Sequence, residues 1–443
     1  MERQQDYVMR TVEERGVRFV QLWFTDVLGT PKHFDITPAE LEDALEEGMT
    51  FDGSAIDGFS RVQESDMLAK PDPKTFQLLP HTDDAPVARM FCDILNLDGT
   101  PFEGDPRQVL RRTLDKARTR GFTFFVAPEM EFFYFASNDP SRTPQGLDNG
   151  SYFDLMASDL TSDLRKRTIL TLEDMGIPVE YSQHEDAPSQ HEIDLRYTDA
   201  LSMADNVITF RLLVKEIAME RGVHASFMPK PFSDQQGSGM HTHLSLFEGD
   251  TNAFADPSDE YGLSAVAKGF IAGVLAHARE ITAVTNQWVN SYKRLVKGYE
   301  APIHVSWARN NRSALVRVPV VKKGHPESTR IEYRAPDPAC NPYLFYALIL
   351  AAGMRGIEDG YALAPEAAAN LYELSTEELL ADKIESLPGS LADAVAEMER
   401  SELVADTLGE HVFHWFVRNK QAEWSAYKTQ VSQWELDRYL PVL

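Results

Sequence analysis

The pattern of apolar and polar positions changes period along this chain, and the changes divide it into elements. Residues 2–15 read as a helix. Val17–Phe24 is apolar-rich and strand-like, and the turn Leu28-Gly29-Thr30 follows it. Thr37-Pro38 opens a helix predicted to run through Glu47, with the threonine hydroxyl as N-cap and proline at the first helical position. Phe76–Leu79 and Ala88–Leu95 read as further strands. Short strands around a helix predict a small α+β domain over residues 1–104, closing in the loop Leu97–Asp105. Residues 105–443 form a second, larger domain. Arg107–Arg120 reads as a helix and Phe122–Phe135 as a strand. Ser158–Met175 is amphipathic and stops at Gly176-Ile177-Pro178, a C-terminal signal of glycine followed by proline. Thr198–Arg221 is a long predicted helix ended by Gly222. Leu263–Thr285 and Pro342–Asp359 read as apolar helices, the second capped by Asn341 with Pro342 first. From Ser390 onward the chain reads as mostly helical and carries Trp415, Trp424 and Trp434, which suits packing on a neighbour.

Several strand segments carry polar residues at every second position. Side chains at i and i+2 share one face of a strand. Glu129 and Glu131 share a face in Ala127–Phe133. So do Glu192, Asp194 and Arg196 in His191–Tyr197, His241, His243 and Ser245 in Met240–Leu246, and Arg330, Glu332 and Arg334. One such strand is the wet side of an antiparallel sheet. Four of them, all bearing ligand-type residues, point to a site. Glu129, Glu131, Glu185, Glu192, His241 and Glu332 offer five carboxylates and one imidazole. That donor set suits Mg²⁺ or Mn²⁺ better than a structural zinc, which would recruit cysteine. Crowded carboxylates without cations repel one another and raise their own pKa values; divalent ions remove the difficulty.

Composition narrows the function class. A chain of 443 residues with 43% hydrophobic content can bury more than one core. A net charge of −26 repels nucleic acid and anionic membrane, so neither is expected as a partner. Cys92 and Cys340 form neither a CxxC pair nor a disulfide framework, and buried thiols in a reducing compartment are expected. No apolar run reaches the ~18 residues needed to span a bilayer. Glu2, Arg3 and Asp6 stand where a secretory leader would carry its apolar core, so the expected compartment is the cytoplasm.

Arginines are the second theme. Arg294, Arg312, Arg317, Arg330 and Arg334 lie close together in sequence. Guanidinium forks match carboxylate and phosphate oxygens bidentately. Beside a metal cluster they suggest an anionic substrate and a phosphoryl group in transfer. No Walker A loop or kinase glycine-rich loop is present, which leaves the phosphate to metals and arginines. Gly237-Ser238-Gly239 precedes the His241 strand, where backbone can approach a ligand closely.

Taken in order, Phe51–Phe59, Ala127–Phe133, Phe227–Pro231 with Gly237–Leu246, Asn290–Pro302 and Arg330–Tyr343 resemble type I glutamine synthetase, and the resemblance spans essentially the whole chain. It implies a β-grasp N-terminal domain, a catalytic domain whose antiparallel sheet lines a funnel, and two stacked hexameric rings (a dodecamer) with active sites shared between subunits. It implies ATP-dependent ligation of glutamate and ammonia through γ-glutamyl phosphate, with two or more Mg²⁺ or Mn²⁺ ions per subunit. One metal would be held by Glu131, Glu185 and Glu192, the other by Glu129, His241 and Glu332. Glu180, Tyr197, His243, Ser245 and Arg330 fall where the family contacts ATP, and Arg312 and Arg317 are expected at ATP as well. Arg294 and Gly237 fall at glutamate-binding positions. Arg312 and Arg334 match residues that steady the γ-carboxylate and the transferred phosphate, with Arg317 close by. Asp52 matches an ammonium-site carboxylate from the adjacent subunit, and Glu300 a flap glutamate that closes the site.

The sequence departs from the family pattern at a few positions. Ala55 stands where many members carry a serine near ammonium, which keeps open a γ-glutamyl ligase using a polyamine or another amine. Gln183 replaces the first histidine of a His-His-Glu triplet, and Gln236 an asparagine before Gly237. Tyr372 aligns with a tyrosine adenylylated in one subgroup, but the insertion typical of that subgroup is missing, so Tyr372 is expected to stay unmodified. Arg61 is a candidate for regulation or intersubunit contact. A silent scaffold would require lost metal ligands, and none is missing; a guanidino kinase would leave the first domain and the flap without a role.

Overall fold

Two sheets carry the architecture of the computed structural model, which describes the chain apart from Met1, Ala55, residues 60–65, 81–84 and 156–159, Glu300, and residues 368–370 and 382–383. The first sheet runs in the order Pro31–Ile36, Phe19–Thr25, Val87–Leu95, Asp66–Pro71, Met49–Asp52, with Gln77–Leu78 added beside Val87–Leu95. Phe19–Thr25 and Val87–Leu95 are parallel, the arrangement of a β-grasp unit. Val8 and Val12 of the helix Glu2–Glu14 pack with Leu41, Ala44 and Leu45 on a common core. The helix expected from Thr37 is split. Pro38–Glu40 is a 3-10 turn and Leu41–Glu46 a short α-helix, and the Thr37 hydroxyl makes no capping bond.

The second sheet has ten strands among the described residues: seven in the order His304–Ala308, Ala314–Arg317, Ile331–Tyr333, Thr242–Glu248, Phe122–Phe135, Gln190–Leu195, Val179–His184, with Thr251–Asn252 added beside Thr242–Glu248 and two more beside Phe122–Phe135. Phe122–Phe135 is its axis and also receives Thr198–Asp199 and His224–Ser226. The sheet is antiparallel except for His304–Ala308 against Ala314–Arg317, which run parallel. It is therefore mixed, where an antiparallel sheet was expected.

Strand periodicity sorts the two faces. Along Phe122–Phe135 the even positions Phe124, Val126, Met130, Phe132 and Tyr134 enter the main core. The odd positions carry Glu129 and Glu131 to the other face. Ile193 and Leu195, Leu244 and Leu246, and Ile331 and Tyr333 complete the apolar side. Beneath it lie the helices Ala265–Thr285 and Pro342–Glu358. They touch through glycines: a Cβ on Gly273 would stand 2.2 Å from the Ala352 carbonyl oxygen, and one on Gly356 2.2 Å from that of Gly269. Asn341 caps the second helix as expected, accepting from the Tyr343 and Leu344 amides.

A buried arginine ties the first sheet to the helices Pro106–Thr119 and Ala200–Glu220. Arg107, at the start of the helix Pro106–Thr119, donates to Asp93 at 2.5 Å, Asp72 at 3.1 Å and Asp205 at 2.9 Å.

Candidate active site

The polar face of the large sheet opens into a basin of about 330 Å³, lined by Glu129, Glu131, Glu185, Glu192, His241 and Glu332, together with Gly237, Arg294, Arg312, Arg317 and Arg334. All six expected metal-ligand residues thus share one cavity, because register stacks them. Glu131 stands opposite Glu192, and Glu129 opposite Asp194, across one strand pair. Glu332 stands opposite His243 across another.

The acids fall into two groups with different surroundings. Glu129 accepts from His243 Nε2 at 2.8 Å and lies 3.2 Å from His241 Nδ1. Burial works against its charge, yet the bonds from His241 and His243 hold its carboxyl well below the usual range. Burial, reinforced by the charge of Arg334, presses His241 down to about 4, which leaves a neutral imidazole suited to a metal. Glu332 is fully buried and paired with Arg317 and Arg334. Glu129, His243 and Glu332 bring ligand-type atoms within 4.8 Å of one another. His243, read from the sequence with ATP, therefore also stands among the metal-type donors.

The second group is short of cations. Burial and then the neighbouring Glu185 push Glu131 up to about 8. Burial and then Asp194 push Glu192 well above its ordinary value. Glu131 accepts from the Gly239 amide at 2.8 Å and from Gln190 at 3.1 Å. The Gln183 amide donates to both Glu185 and Glu192 at 2.7 Å each. Buried, mutually repelling carboxylates with an adjoining neutral imidazole fit hard divalent cations.

Behind Glu129 and His243 lies a second cleft of about 240 Å³, lined by Glu180, Tyr197, His243, Ser245 and Arg330 with Phe125 and Phe247. Five of the residues expected at ATP meet there. Phe125 stands edge-on to Tyr197 at 5.9 Å and to Phe247 at 5.1 Å, giving the cleft an aromatic wall. Arg312 and Arg317 open on the basin instead. The basin and the cleft are separated by the Glu129–His243 bond. A larger open cleft of about 420 Å³, beside Leu28–Pro31 and Trp288, holds none of the expected site residues.

Gly237 and Arg294 are built together. A Cβ on Gly237 would lie 2.3 Å from the Pro229 carbonyl oxygen and 3.0 Å from Arg294 Cγ, so only glycine fits. Arg294 is held by the carbonyls of Ala335 at 2.7 Å and Arg334 at 3.2 Å. Tyr372 also lines the basin and donates to the Ala301 carbonyl at 2.7 Å. Asp52 ends an exposed strand of the first sheet and lines neither cleft of its own chain. Glu300, Ala55 and Arg61 lie outside the described residues.

Sequence reading missed Gln190, Tyr152, Tyr181 and Tyr299 in the basin wall and gave Asp194 no role. Asp194 is buried, and burial followed by the charge of Glu129 pushes it up to about 9. Its place two residues beyond Glu192 was the available signal; the aromatic residues gave none.

Metal-type carboxylates, phosphate-matching arginines and an aromatic cleft define a site for phosphoryl transfer to a small anion. Comparison with known proteins narrows that class. The family model "Glutamine synthetase, catalytic domain" matches residues 103–439, and "Glutamine synthetase, beta-Grasp domain" matches residues 16–97. The glutamine synthetase of Mycolicibacterium smegmatis is 59% identical, with 99% of this chain and 100% of that one covered. That of Thermotoga maritima is 49% identical, with 98% of each covered. A GmaS/ADP complex superposes with a TM-score of 0.87 at 33% identity, covering 98% of this chain and 99% of that one. The cryo-EM structure of Plasmodium falciparum glutamine synthetase, 24% identical, shares the fold with a TM-score of 0.89 over 98% of each chain. The chain belongs to the glutamine synthetase family.

Proposed function

We propose that the two clefts serve one reaction, with ATP in the aromatic cleft, glutamate in the basin, and phosphoryl transfer across the Glu129–His243 wall. Family membership makes the chain an ATP-dependent glutamine-forming enzyme. The contact that supports the division of labour is the 2.8 Å bond joining one residue of each cleft, since it puts both within reach of a single transferred group.

Glutamate's γ-carboxylate attacks the γ-phosphorus of ATP, ADP leaves, and γ-glutamyl phosphate forms. Ammonia then attacks the acyl carbon and phosphate departs. Arg294 and the tight backbone at Gly237 hold glutamate, and Arg312 and Arg334, with Arg317, neutralise the γ-carboxylate and the moving phosphoryl. Glu131, Glu185 and Glu192 would hold one divalent cation and Glu129, His241 and Glu332 another, Mg²⁺ or Mn²⁺. Bound there, the ions offset charge on the phosphoryl oxygens. Asp52, from a neighbouring subunit, accepts the proton that turns ammonium into a nucleophile. Glu300 closes the site against water, which would hydrolyse the acyl phosphate.

The same reading has a dodecamer of two stacked hexamers, a cytoplasmic location, and domains divided at residues 104 and 105. Among the described residues no helix is long and apolar enough to cross a membrane. A larger amine as nucleophile is not favoured: its main support was Ala55, and the chain is 59% identical over nearly its whole length to a glutamine synthetase. The test is ATP-dependent phosphate release with glutamate and Mg²⁺, comparing ammonium with putrescine and ethanolamine. Release with ammonium alone is expected; release only with a larger amine would move the assignment to a γ-glutamylamine ligase.

A further inference from the structure

We propose that Asp148 is a positioning residue for the metal-binding carboxylates, acting through His184 and Ser189 from the opposite side of the sheet. The inference rests on the reading of Glu185 and Glu192 as metal ligands.

Glu192 lies in the strand Gln190–Leu195, and Glu185 directly follows its partner strand Val179–His184; the turn between them is closed by the Glu185 amide donating to the Gln190 carbonyl at 2.8 Å. His184 and His191 face each other in the same pairing and are 2% and 0% exposed. Being offset by one from the glutamates, they point to the other face of the sheet. Between them sits Asp148, on a loop that crosses that face. Its carboxylate lies 3.0 Å from His184 Nε2 and 3.5 Å from His191 Nε2, and accepts from the Ser189 amide at 2.8 Å and the Gly150 amide at 3.1 Å.

Two consequences reach the glutamates. His184 Nδ1 lies 2.6 Å from the Glu185 carbonyl oxygen, which can only accept. The ring therefore donates there and fixes the peptide that carries the Glu185 side chain. Ser189, inside the turn, sits at φ 62, left-handed backbone that a serine rarely adopts. Asp148 holds it there through the Ser189 amide, while Ser189 Oγ accepts from the amides of Leu147 and Asp148 at 2.6 and 2.9 Å. A Cβ on Gly150 would stand 2.5 Å from His184 Nε2, so the loop lies flat against the ring.

Asp148, His184 and His191 are also close enough together to hold a cation themselves. Arg165 argues against it. Its guanidinium lies 2.6 Å from His191 Nδ1 and can only donate. That leaves the proton of His191 on Nε2, facing Asp148, where a metal would need a lone pair.

The experiment measures free Mn²⁺ by electron paramagnetic resonance against the full-length wild type, E185Q, D148N and H184Q, with thermal midpoints taken without metal. The wild type is expected to bind Mn²⁺ and E185Q to lose that affinity. D148N and H184Q are expected to weaken it by about 10–100-fold, as losing an outer partner of a ligand does. A lowered midpoint with unchanged Mn²⁺ affinity would make the cluster a brace of the fold alone and overturn the proposal. Loss of one Mn²⁺ equivalent, with the remaining affinity unchanged, would make it a ligand set and also overturn it. If D148N does not fold, H184Q decides. Failure of the wild type to bind Mn²⁺ would instead remove the metal reading of Glu185 itself.

Discussion

Gln183 shows how a single side chain keeps two buried acids together. Its amide nitrogen serves Glu185 and Glu192 at 2.7 Å each, and its own oxygen is buried as well. A neutral donor thus stands where a cation would otherwise be required, and burial with the neighbouring Asp194 pushes Glu192 beside it well above its ordinary value. Glu131, at about 8 in the folded chain against an ordinary 4.5, keeps its proton at neutral pH. Between those two values the folded state holds more protons than the unfolded one. Stability of the metal-free protein is therefore expected to fall as pH rises from about 5 to 8. Mg²⁺ must displace the proton, so its binding at pH 7 is expected to release protons and to strengthen with pH. Calorimetry in two buffers of different ionisation enthalpy measures the count; no buffer dependence would show that Glu131 is already ionised.

At the level of elements, long periodic segments were legible and several short ones were not. Pro106–Thr119, Ala200–Glu220, Ala265–Thr285 and Pro342–Glu358 lie where apolar period and caps put them, within two residues at each end. Pro31–Ile36, Met49–Asp52, Asp66–Pro71 and Ala314–Arg317 escaped notice because strands of four to six residues gain their identity from partners far along the chain. Site residues were legible for the opposite reason. Alternation places Glu129 and Glu131 on one face without knowledge of the neighbour, whereas Gln190 or Tyr299 enters the wall only through folding. Helix packing leaves its own mark in glycine. G273A would press a methyl group on the Ala352 carbonyl at 2.2 Å, and backbone on both sides leaves little room to yield. The expected cost is about 1–3 kcal/mol in denaturant unfolding, with metal affinity unchanged. A stability equal to wild type would mean that the helix pair separates freely.

For the whole molecule the net charge is −26, and the basin gathers four arginines beside five glutamates, so anions are met there by guanidinium groups and by the cations the glutamates would hold. Asp52 lies apart from the basin of its own chain, and the proposed shared site makes a specific demand. D52A and E131Q are each expected to be inactive as pure proteins. Mixed oligomers, refolded or co-expressed together, are expected to regain part of the activity, because some sites then combine an intact basin with a neighbour's intact Asp52. No recovery in mixtures of verified hybrid composition would confine each site to one chain. The central strand Phe122–Phe135 has a consequence of another kind. It is hydrogen-bonded along its two edges to four other strands, and it supplies both the Ala127 wall of the aromatic cleft and the glutamates of the basin. It works as a common ruler. A point change alters one mark on it, but the loss or gain of a single residue before Glu129 would shift every later mark by one and exchange inward for outward. Glutamates would then face the core, and Met130 and Phe132 the substrate. Tolerance in this region is thus a matter of length more than of identity, and drift in the family should avoid insertions and deletions here even where it accepts substitutions.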